Sequence, residues 1–406
     1  MPEITRTVKL KVNIPLDAAR RTVEAWTAAC NAVSRIAFEN GRLSNAIRLQ
    51  KLSYDTAKSA GLSAQVAVSC IRHVASKYAA ARSNKHALIA PAVFRSQAVI
   101  LQGGKRGRDV AIRSSGLSVW TADGRFKAVP FSGPPGLADK IANWTFGDGR
   151  LMVIGKSVFL TLSFKRDVEE RTAPNDAVVG VDRGINVLAC ATDGSRHWMR
   201  KGSHTKHVRD RYLHIRSSLQ RKKAESPTRS VAKTLKRLSG REKRFMQAVN
   251  HEVSKSVVTF AERAGCPVIA VEQLDGIRGH RLRKKVRREV QRWAYGQLAF
   301  FIGYKAAERG MTVIEVDPRG TSTGCSRCGH TAGANRKRHA FECRACGHKL
   351  HSDLNAAHNI RLRGILARQV LRQDGPPSCG PEVRPIDPGW KPGEGTDKPS
   401  ALADGS

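Results

Sequence analysis

Four cysteines in the last quarter of the chain form two Cys-x-x-Cys pairs that could share one metal ion. Cys325 and Cys328 make the first pair, Cys343 and Cys346 make the second, and 14 residues separate them. Two such turns can direct four sulfurs at one point, which is the tetrahedral arrangement that suits Zn²⁺. A closed four-cysteine site leaves no position for water, so the predicted zinc is structural rather than catalytic. A redox-active dithiol is the alternative interpretation.

Three acidic residues stand where predicted strands end or a predicted helix begins. Asp182 ends the apolar run VVGVD, Glu272 ends PVIAVE, and Asp353 opens DLNAAHNIRLRG. In an α/β sheet the carboxyl ends of the strands gather at one edge, where sites form. Each acid alone could be an ordinary strand-end or helix-cap carboxylate. Burial of a carboxylate without a partner is costly, however, so three in this order on a basic protein point to a shared function.

Divalent cations would make such a trio of acids tolerable. Three carboxylates about 4 Å apart repel by roughly 4 kcal/mol per pair at an effective dielectric near 20. Hard oxygen ligands suit Mg²⁺ or Mn²⁺, and two such ions can activate water and stabilise the leaving oxygen in phosphodiester cleavage. Among the neighbouring acids Asp193, Asp275 and Asp317, only Asp317 ends a strand and could support the same edge.

The charge balance favours a polyanionic partner. The chain of 406 residues has 71 Lys and Arg against 34 Asp and Glu, a net charge of +37. Nucleic acid is the first candidate for that partner, whereas ribosome association and adhesion to acidic membranes are the alternatives. The most basic run, RLRKKVRR, is a candidate contact for such a partner, although a solvated helix face would look the same. Its basic residues are Arg281, Arg283, Lys284, Lys285, Arg287 and Arg288.

Other features concern the compartment of the protein. No apolar run approaches the roughly 18 residues that span a bilayer, and the first residues lack the apolar segment of a secretory signal. We therefore expect a cytoplasmic protein without membrane contact. The cysteines are then thiols or metal ligands rather than disulfides. Five lie outside the two pairs, of which the last is expected in a tail and the others in the core: Cys30, Cys70, Cys190, Cys266 and Cys379.

Hydrophobic periodicity predicts the elements that must position these residues. Residues 4–14 alternate as a strand, residues 15–85 have helical spacing with Ser63 as a candidate N-cap, and residues 88–165 return to short β-like runs. One β module is therefore interrupted by a helical insertion. From residue 175 onward, strands and helices alternate in an α/β pattern, and the cysteine pairs interrupt it before the last helix.

Several motifs together resemble the RuvC-type motifs of the TnpB family of RNA-guided DNA nucleases, and the compact type V CRISPR effectors share the pattern. They are VGVDRGINVLACATDG, VIAVEQLDGIRG, VDPRGTSTGCSRCGH, FECRACGH and HSDLNAAHNI. The resemblance implies that Asp182, Glu272 and Asp353 are catalytic and hold Mg²⁺ or Mn²⁺. It also implies that the four paired cysteines bind zinc, that a guide RNA is a cofactor, and that the target is double-stranded DNA with a short flanking motif. The basic run from Arg281 to Arg288 would then line a nucleic-acid channel for the RNA–DNA heteroduplex.

The family also implies a multidomain α/β and β-barrel architecture built around an RNase H-like nuclease domain. We expect a prokaryotic protein, associated with the nucleoid through DNA; its oligomeric state is left open. The expected pieces are a wedge-type β-barrel (1–15 and 88–170), a helical recognition insert (16–87), a RuvC-like nuclease domain (171–320 and 351–370), a zinc ribbon that binds target nucleic acid (321–350) and a disordered tail (371–406).

The sequence therefore predicts an RNA-guided DNA endonuclease associated with a transposable element. A compact type V CRISPR effector is the alternative within the same enzyme class, since only the genomic context or the bound RNA separates the two. A repressor that has lost cleavage is a second alternative, which the complete set of acids argues against. A zinc-ribbon DNA-binding protein without a guide would leave the acids unexplained.

Overall fold

The computed structural model describes residues 3–84, 88–95, 98–104, 108–113, 116–172, 177–274, 295–373 and 384–385. The chain divides into two compact units, Glu3–Asp167 and a second unit from Val168 onward. Both units mix sheets and helices, so the predicted multidomain α/β fold is confirmed at that level.

The first unit begins with a strand, continues with three helices and then returns to strands. Strand β1 (Glu3–Val12) pairs along its whole length with β8 (Ser157–Asp167), so the helices are inserted between two sheet partners that are distant in sequence. The predicted cap is confirmed, because the side chain of Ser63 accepts a hydrogen bond from the backbone N–H of Val66. The helices are α1 (Leu16–Glu39), α2 (Ala46–Ser59), α3 (Ala64–Ser83) and the short α4 (Leu137–Asn143).

The described strands of the first unit form two antiparallel sheets. The larger has the order β2-β7-β8-β1-β6 and the smaller has the order β3-β4-β5. Apolar residues of β1 and β8 alternate into a buried layer that includes Leu10, Leu160 and Phe164. The strands are β1 (Glu3–Val12), β2 (Ala98–Leu101), β3 (Val110–Arg113), β4 (Gly116–Thr121), β5 (Gly124–Val129), β6 (Phe131–Ser132), β7 (Thr145–Ile154) and β8 (Ser157–Asp167).

A mixed sheet organises the second unit. Its described strands have the order β11-β10-β9-β12-β13-β17, in which β9, β12 and β13 are parallel and the others are antiparallel to their neighbours. Strand β11 occupies a segment whose strand character the sequence analysis did not recognise. The strands are β9 (Val178–Asp182), β10 (Val187–Thr192), β11 (His197–Lys201), β12 (Val268–Glu272), β13 (Thr312–Val316) and β17 (Arg384–Pro385).

Helices cover both faces of this sheet. On one face, Val179 and Ile269 pack with Val257 and Ile302 of two helices. On the other face, Val178 and its neighbours pack against the last helix. Successive residues of β9 thus point into different cores, which explains its uninterrupted apolar run. The helices are α5 (Ser203–Glu225), α6 (Arg229–Leu238), α7 (Arg241–Arg263), α8 (Tyr295–Ala307) and α9 (Ser352–Gln373).

A small three-stranded sheet precedes α9 and belongs to the cysteine-containing segment. It consists of β14 (Arg336–Lys337), β15 (Ala340–Glu342) and β16 (Lys349–His351), and its last strand leads directly into α9. This continuity couples the position of the cysteines to the start of the helix.

One predicted segment, the tail, is described in part, and another, the basic run, is not described. Helix α9 runs to Gln373, and Arg384–Pro385 pair with β13, so these residues of the expected tail have regular structure. The remainder of the tail, with Cys379, lies outside the described residues. The basic run from Arg281 to Arg288 also lies outside them, so its predicted channel role stays a prediction. No helix in the described part of the chain has the length and apolar character needed to span a membrane.

Candidate active site and cysteine cluster

Asp182 and Glu272 end two neighbouring parallel strands. Val181 of β9 is in register with Val271 of β12, so the acid that follows each valine lies at the same edge of the sheet. Glu272 is buried and Asp182 is half-buried. The carboxyl ends of parallel strands thus bring together two of the three predicted acids, as the strand pattern requires.

Asp353 lies in the first turn of α9, which rests on the same sheet. Asp353, Ala356, Ala357 and Ile360 are all buried, so their spacing of three and four residues puts them on the helix face that meets the sheet. Gly180 of β9 makes this close packing possible. A Cβ atom at that position would lie 2.1 Å from the carbonyl oxygen of Ala357, so only glycine fits.

The three acids interact electrostatically. Burial raises the pKa of Asp182 well above its usual range, and the negative charges of Glu272 and Asp353 raise it further. Burial also raises the pKa of Glu272, although a hydrogen bond from Thr321 and the charge of Arg183 oppose the increase. The acids therefore form one cluster in which negative charge is only partly compensated.

Polar partners fix the two better-buried acids. The hydroxyl of Thr321 donates to Oε1 of Glu272, and Arg183 donates to the backbone oxygen of the same residue. Nη2 of Arg336 donates to Oδ1 of Asp353 at 3.1 Å. The roles of Thr321 and Arg183 were not predicted, because a threonine in a loop and one arginine among many carry no recognisable signal in the sequence.

The neighbouring acids have local roles. Asp193 accepts hydrogen bonds from the backbone N–H groups of Ser195 and Arg196, which closes the turn between β10 and β11. Asp317 is exposed and accepts from the backbone N–H of Arg319. The geometry gives Asp317 the role of a turn cap at this edge. Asp275 lies outside the described residues.

The four paired cysteines converge. Their sulfur atoms all lie within 4.8 Å of one another, with 3.7 Å between Cys325 and Cys346 and 3.5 Å between Cys328 and Cys343. The donor set fits a tetrahedral thiolate-bound Zn²⁺. Backbone N–H groups, first that of Cys346, lower the pKa of Cys343 to about 6. Against the backbone N–H of His330, the neighbouring thiols raise the pKa of Cys328 to about 12, so the metal-free cluster shares its protons unequally.

The two cysteine turns have the same construction. The backbone N–H of Cys325 donates to the oxygen of His330, and that of Cys343 donates to the oxygen of His348. A glycine follows each pair with φ near +70°, at Gly329 and Gly347, a conformation that glycine adopts without strain. Four remaining described cysteines, Cys30, Cys70, Cys190 and Cys266, are buried, which confirms their assignment to the core.

Two asparagines of α9 join the cysteine cluster to the helix that carries Asp353. Asn355 accepts from the backbone N–H of Ser326 at 3.0 Å and donates to the oxygen of Gly324 at 2.8 Å. Asn359 donates to the oxygens of Thr321 and Gly324. These contacts were not predicted, because an asparagine in a helix gives no indication of a distant loop partner.

The sequence of the chain is similar to those of several known proteins. Residues 295–360 match the family model described as the Cas12f1-like TNB domain. A CRISPR-associated endodeoxyribonuclease Cas12f1 of Sulfoacidibacillus thermotolerans is 31% identical over 219 residues, which are 51% of this chain and 50% of that protein. A TnpB-like protein of Methanocaldococcus jannaschii is 32% identical over 157 residues, covering 38% of this chain and 55% of that protein.

The fold has a counterpart among solved structures. The cryo-EM structure of a Cas12f1–sgRNA–target DNA complex superposes with a TM-score of 0.61 at 15% identity, covering 85% of this chain and 81% of that chain. This likeness shows a shared multidomain α/β fold. The chain is a relative of the TnpB-like and Cas12f1 proteins, so the predicted resemblance is confirmed. It spans about half the length of the curated relatives that it matches.

Proposed function

We propose that this protein is an RNA-guided DNA endonuclease that hydrolyses phosphodiester bonds with Asp182, Glu272 and Asp353. The observation that carries the proposal is the mutual electrostatic influence of three acids from β9, β12 and α9 at one sheet edge. The pKa values of Asp182 and Glu272 are raised, and ionising such a pair beside a third carboxylate is costly unless cations offset the charge. The names of the relatives, a CRISPR-associated endodeoxyribonuclease and a TnpB-like protein, support the same activity.

In the proposed mechanism the acids act as ligands for Mg²⁺ or Mn²⁺, which would activate water and stabilise the leaving oxygen when bound. Thr321 holds the carboxylate of Glu272 through its hydroxyl group. Arg336 holds Oδ1 of Asp353 through a hydrogen bond from its guanidinium group. The hydrogen bonds restrict the rotamers of the acids before substrate binds, and such preorganisation is what a catalytic site requires.

The domain assignments belong to the same proposal. The unit from Val168 onward would be the RNase H-like RuvC nuclease, with residues 321–350 as a zinc ribbon that binds target nucleic acid. The strands and helices of Glu3–Asp167 would be the wedge-type barrel and the recognition insert. The surplus of 37 positive charges supports a guide RNA and a DNA target as partners, since Lys and Arg bind phosphate backbones by counterion release.

The association with a transposable element rests on the TnpB-like relatives. Because Cas12f1 proteins are also among the relatives, a compact CRISPR effector stays the second candidate. Sequencing the RNA that copurifies with the protein separates the two. RNA read from a repeat array would favour the CRISPR effector, and RNA from a transposon end would favour the TnpB assignment.

The test of the activity uses the protein with its copurified RNA, Mg²⁺ and a plasmid library. Cleavage should follow a reprogrammed guide segment and disappear after RNase treatment. Asp182→Ala, Glu272→Ala and Asp353→Ala should each lower cleavage at least about 100-fold while guided DNA binding persists. Glu225→Ala, which alters an exposed acid at the end of α5, is the matched control.

Three outcomes would overturn the proposal in different ways. Equal cutting of all plasmids without RNA would leave a non-specific nuclease. Guided binding without cutting by the unmodified protein would leave a repressor. Full activity of the Asp353→Ala protein would remove that acid from the site.

A further inference from the structure

We propose that His339, His351 and Asp353 form a second transition-metal site, separate from the four-cysteine site and selective for ions of the Zn²⁺ class. Ligand atoms of these three residues all lie within 4.8 Å of one another. Two imidazoles and one carboxylate are a donor set typical of Zn²⁺ and of other divalent transition ions. Mg²⁺ prefers oxygen ligands, so this site differs in kind from the proposed catalytic one.

The fold of the small sheet brings the two histidines together. Ala340 of β15 is in register with His351 of β16, and the backbone N–H of Ser352 donates to the oxygen of His339. The two rings stack with 5.7 Å between their centroids. His339 and His351, which are 12 positions apart in sequence, thus become neighbours. His351 stands two residues before Asp353, which lies in the first turn of α9.

The Nδ1 atom of His351 lies 3.9 Å from Oδ2 of Asp353. Ligands of a tetrahedral zinc ion stand roughly 3.5 Å apart, because each metal–ligand bond is about 2 Å long. The backbone N–H of Asp353 donates to Nδ1 at 3.3 Å, and this hydrogen bond uses the lone pair of that nitrogen. An ion between the two atoms therefore exchanges this long hydrogen bond for a metal–nitrogen bond.

The two oxygens of Asp353 are divided between different partners. Oδ1 accepts hydrogen bonds from Arg336 at 3.1 Å and from Ser352 at 3.4 Å. Oδ2 faces His351 and is the oxygen that a metal could use. His339 is exposed, so its ring can rotate to complete the set with little loss of buried surface.

The site opens onto a cavity. A cavity of about 650 Å³ is bounded by His339 and His351 on one side and by residues of α5, including Lys206 and His207, on another. Three protein ligands leave at least one coordination position for water or an anion, and the cavity provides room for it. The proposed ligand is therefore a divalent transition ion with an exchangeable position, for which Zn²⁺ is the probe.

The experiment measures zinc binding to the full chain whose four-cysteine site is already loaded. Calorimetric titration with Zn²⁺ should reveal one further specific equivalent in the unmodified protein. His339→Gln and His351→Gln should each weaken that equivalent more than about 100-fold, since loss of a direct ligand exceeds the effect of losing a supporting residue. His330→Gln is the matched control, because His330 is exposed in the same segment but outside the cluster.

Two results would overturn the inference. One is a second equivalent that is as strong in the His339→Gln/His351→Gln double variant as in the unmodified protein. The other is an unmodified protein that takes up one zinc only. Retention of the first zinc by each variant shows that the cysteine segment has folded, so a loss of the second equivalent is specific to the histidines.

One consequence rests on the proposed function. Because Asp353 would be shared between both metal sites, excess Zn²⁺ should inhibit Mg²⁺-dependent cleavage, and His339→Gln should raise the ratio of the rates with and without zinc. A protein that binds the second zinc but never cleaves DNA would refute the proposed function and leave this site intact. A protein that cleaves DNA but binds only one zinc would refute the second metal site and leave the proposed function intact.

Discussion

Arg336 of the cysteine segment donates from Nη2 to Oδ1 of Asp353 at 3.1 Å, which links the small sheet to the acid cluster. The arginine side chain is 31% exposed and the aspartate side chain is 11% exposed, so solvent screens this pair only in part. The positive charge of Arg336 also lowers the pKa values of Asp182 and Glu272, against the larger effect of burial. One side chain thus positions one acid and partly neutralises all three.

Replacement of this arginine should destabilise the protein in a pH-dependent way. We expect Arg336→Gln to lower the free energy of unfolding by about 1.5–3 kcal/mol at pH 8, the usual range for a hydrogen bond to a charged group. The cost should shrink toward pH 4, because protonated acids no longer need the compensating charge. Thermal unfolding of the metal-free protein at both pH values measures this. Arg327→Gln, an exposed arginine of the same segment, is the control. Equal losses at both pH values would contradict the electrostatic explanation.

The contact between β9 and α9 should tolerate no added methyl group at its closest point. A Cβ atom at Gly180 would lie 2.1 Å from the Ala357 oxygen and 2.5 Å from the Arg361 backbone nitrogen. We expect Gly180→Ala to cost about 1–3 kcal/mol or more, because α9 must move away from the sheet. The shift would also move Asp353, so proposed cleavage should fall with stability.

Gly296 offers a matched control for this substitution. It lies in α8 of the same unit, and a Cβ atom there meets no heavy atom within 4 Å. Gly296→Ala should change the free energy of unfolding by no more than about 1 kcal/mol, the difference in helix propensity. Denaturant unfolding of both variants gives the comparison. Similar stability of the two proteins would show that the helix does not rest on the strand at Gly180.

The strand ends and the two cysteine pairs could be predicted because their signals are local in sequence. Four apolar residues before Asp182 and before Glu272 mark buried strands, and the spacing of Cys325 to Cys346 marks a shared ion. The parallel register that brings the two strand ends together follows from α/β topology. The geometry of the candidate site therefore follows largely from short motifs.

The supporting contacts could not be predicted, because they join residues far apart in sequence through single side chains. Thr321 contacts an acid 49 positions away, and Asn355 holds a loop 29 positions away. His339 and His351 become neighbours only through the register of a short hairpin. Strand β11 was missed because the sequence around His197 and Trp198 lacks the apolar alternation of the other strands.

Neutralising Asp182, one acid of the cluster, should stabilise the metal-free protein. The pKa of Asp182 is raised in the folded state, so the folded protein binds more protons than the unfolded chain between the two pKa values. The free energy of unfolding therefore falls as pH rises from the unfolded-state pKa to the folded-state pKa. Above the folded-state pKa, the ionised Asp182 destabilises the fold by the full amount. Asp182→Asn should remove that cost and raise the melting temperature at pH 8 by roughly 2–4 °C for each kcal/mol gained.

The comparison is made with a chelator present at pH 8 and pH 4. At pH 4 the gain should be smaller, because Asp182 of the unmodified protein is then protonated in the folded state. Glu225→Gln, which neutralises an exposed acid of α5, should shift neither melting temperature. A destabilised Asp182→Asn protein at pH 8 would mean that the ionised carboxylate has a compensating partner.

The junction between the cysteine cluster and α9 depends on Asn355, whose side chain is fully buried. Asn355→Ala leaves the backbone N–H of Ser326 without its partner, which should cost about 1–3 kcal/mol. The four sulfurs do not depend on this contact, so zinc content should stay at the level of the unmodified protein. Proposed cleavage should fall, because the cluster would no longer fix the start of the helix that carries Asp353.

Leu362→Ala is the control, since Leu362 is 43% exposed on the same helix. Metal analysis, thermal unfolding and cleavage of each variant separate the two roles. Loss of zinc from Asn355→Ala would make the asparagine part of the metal site's own framework, and unchanged cleavage would show that the cluster and the acid are positioned independently.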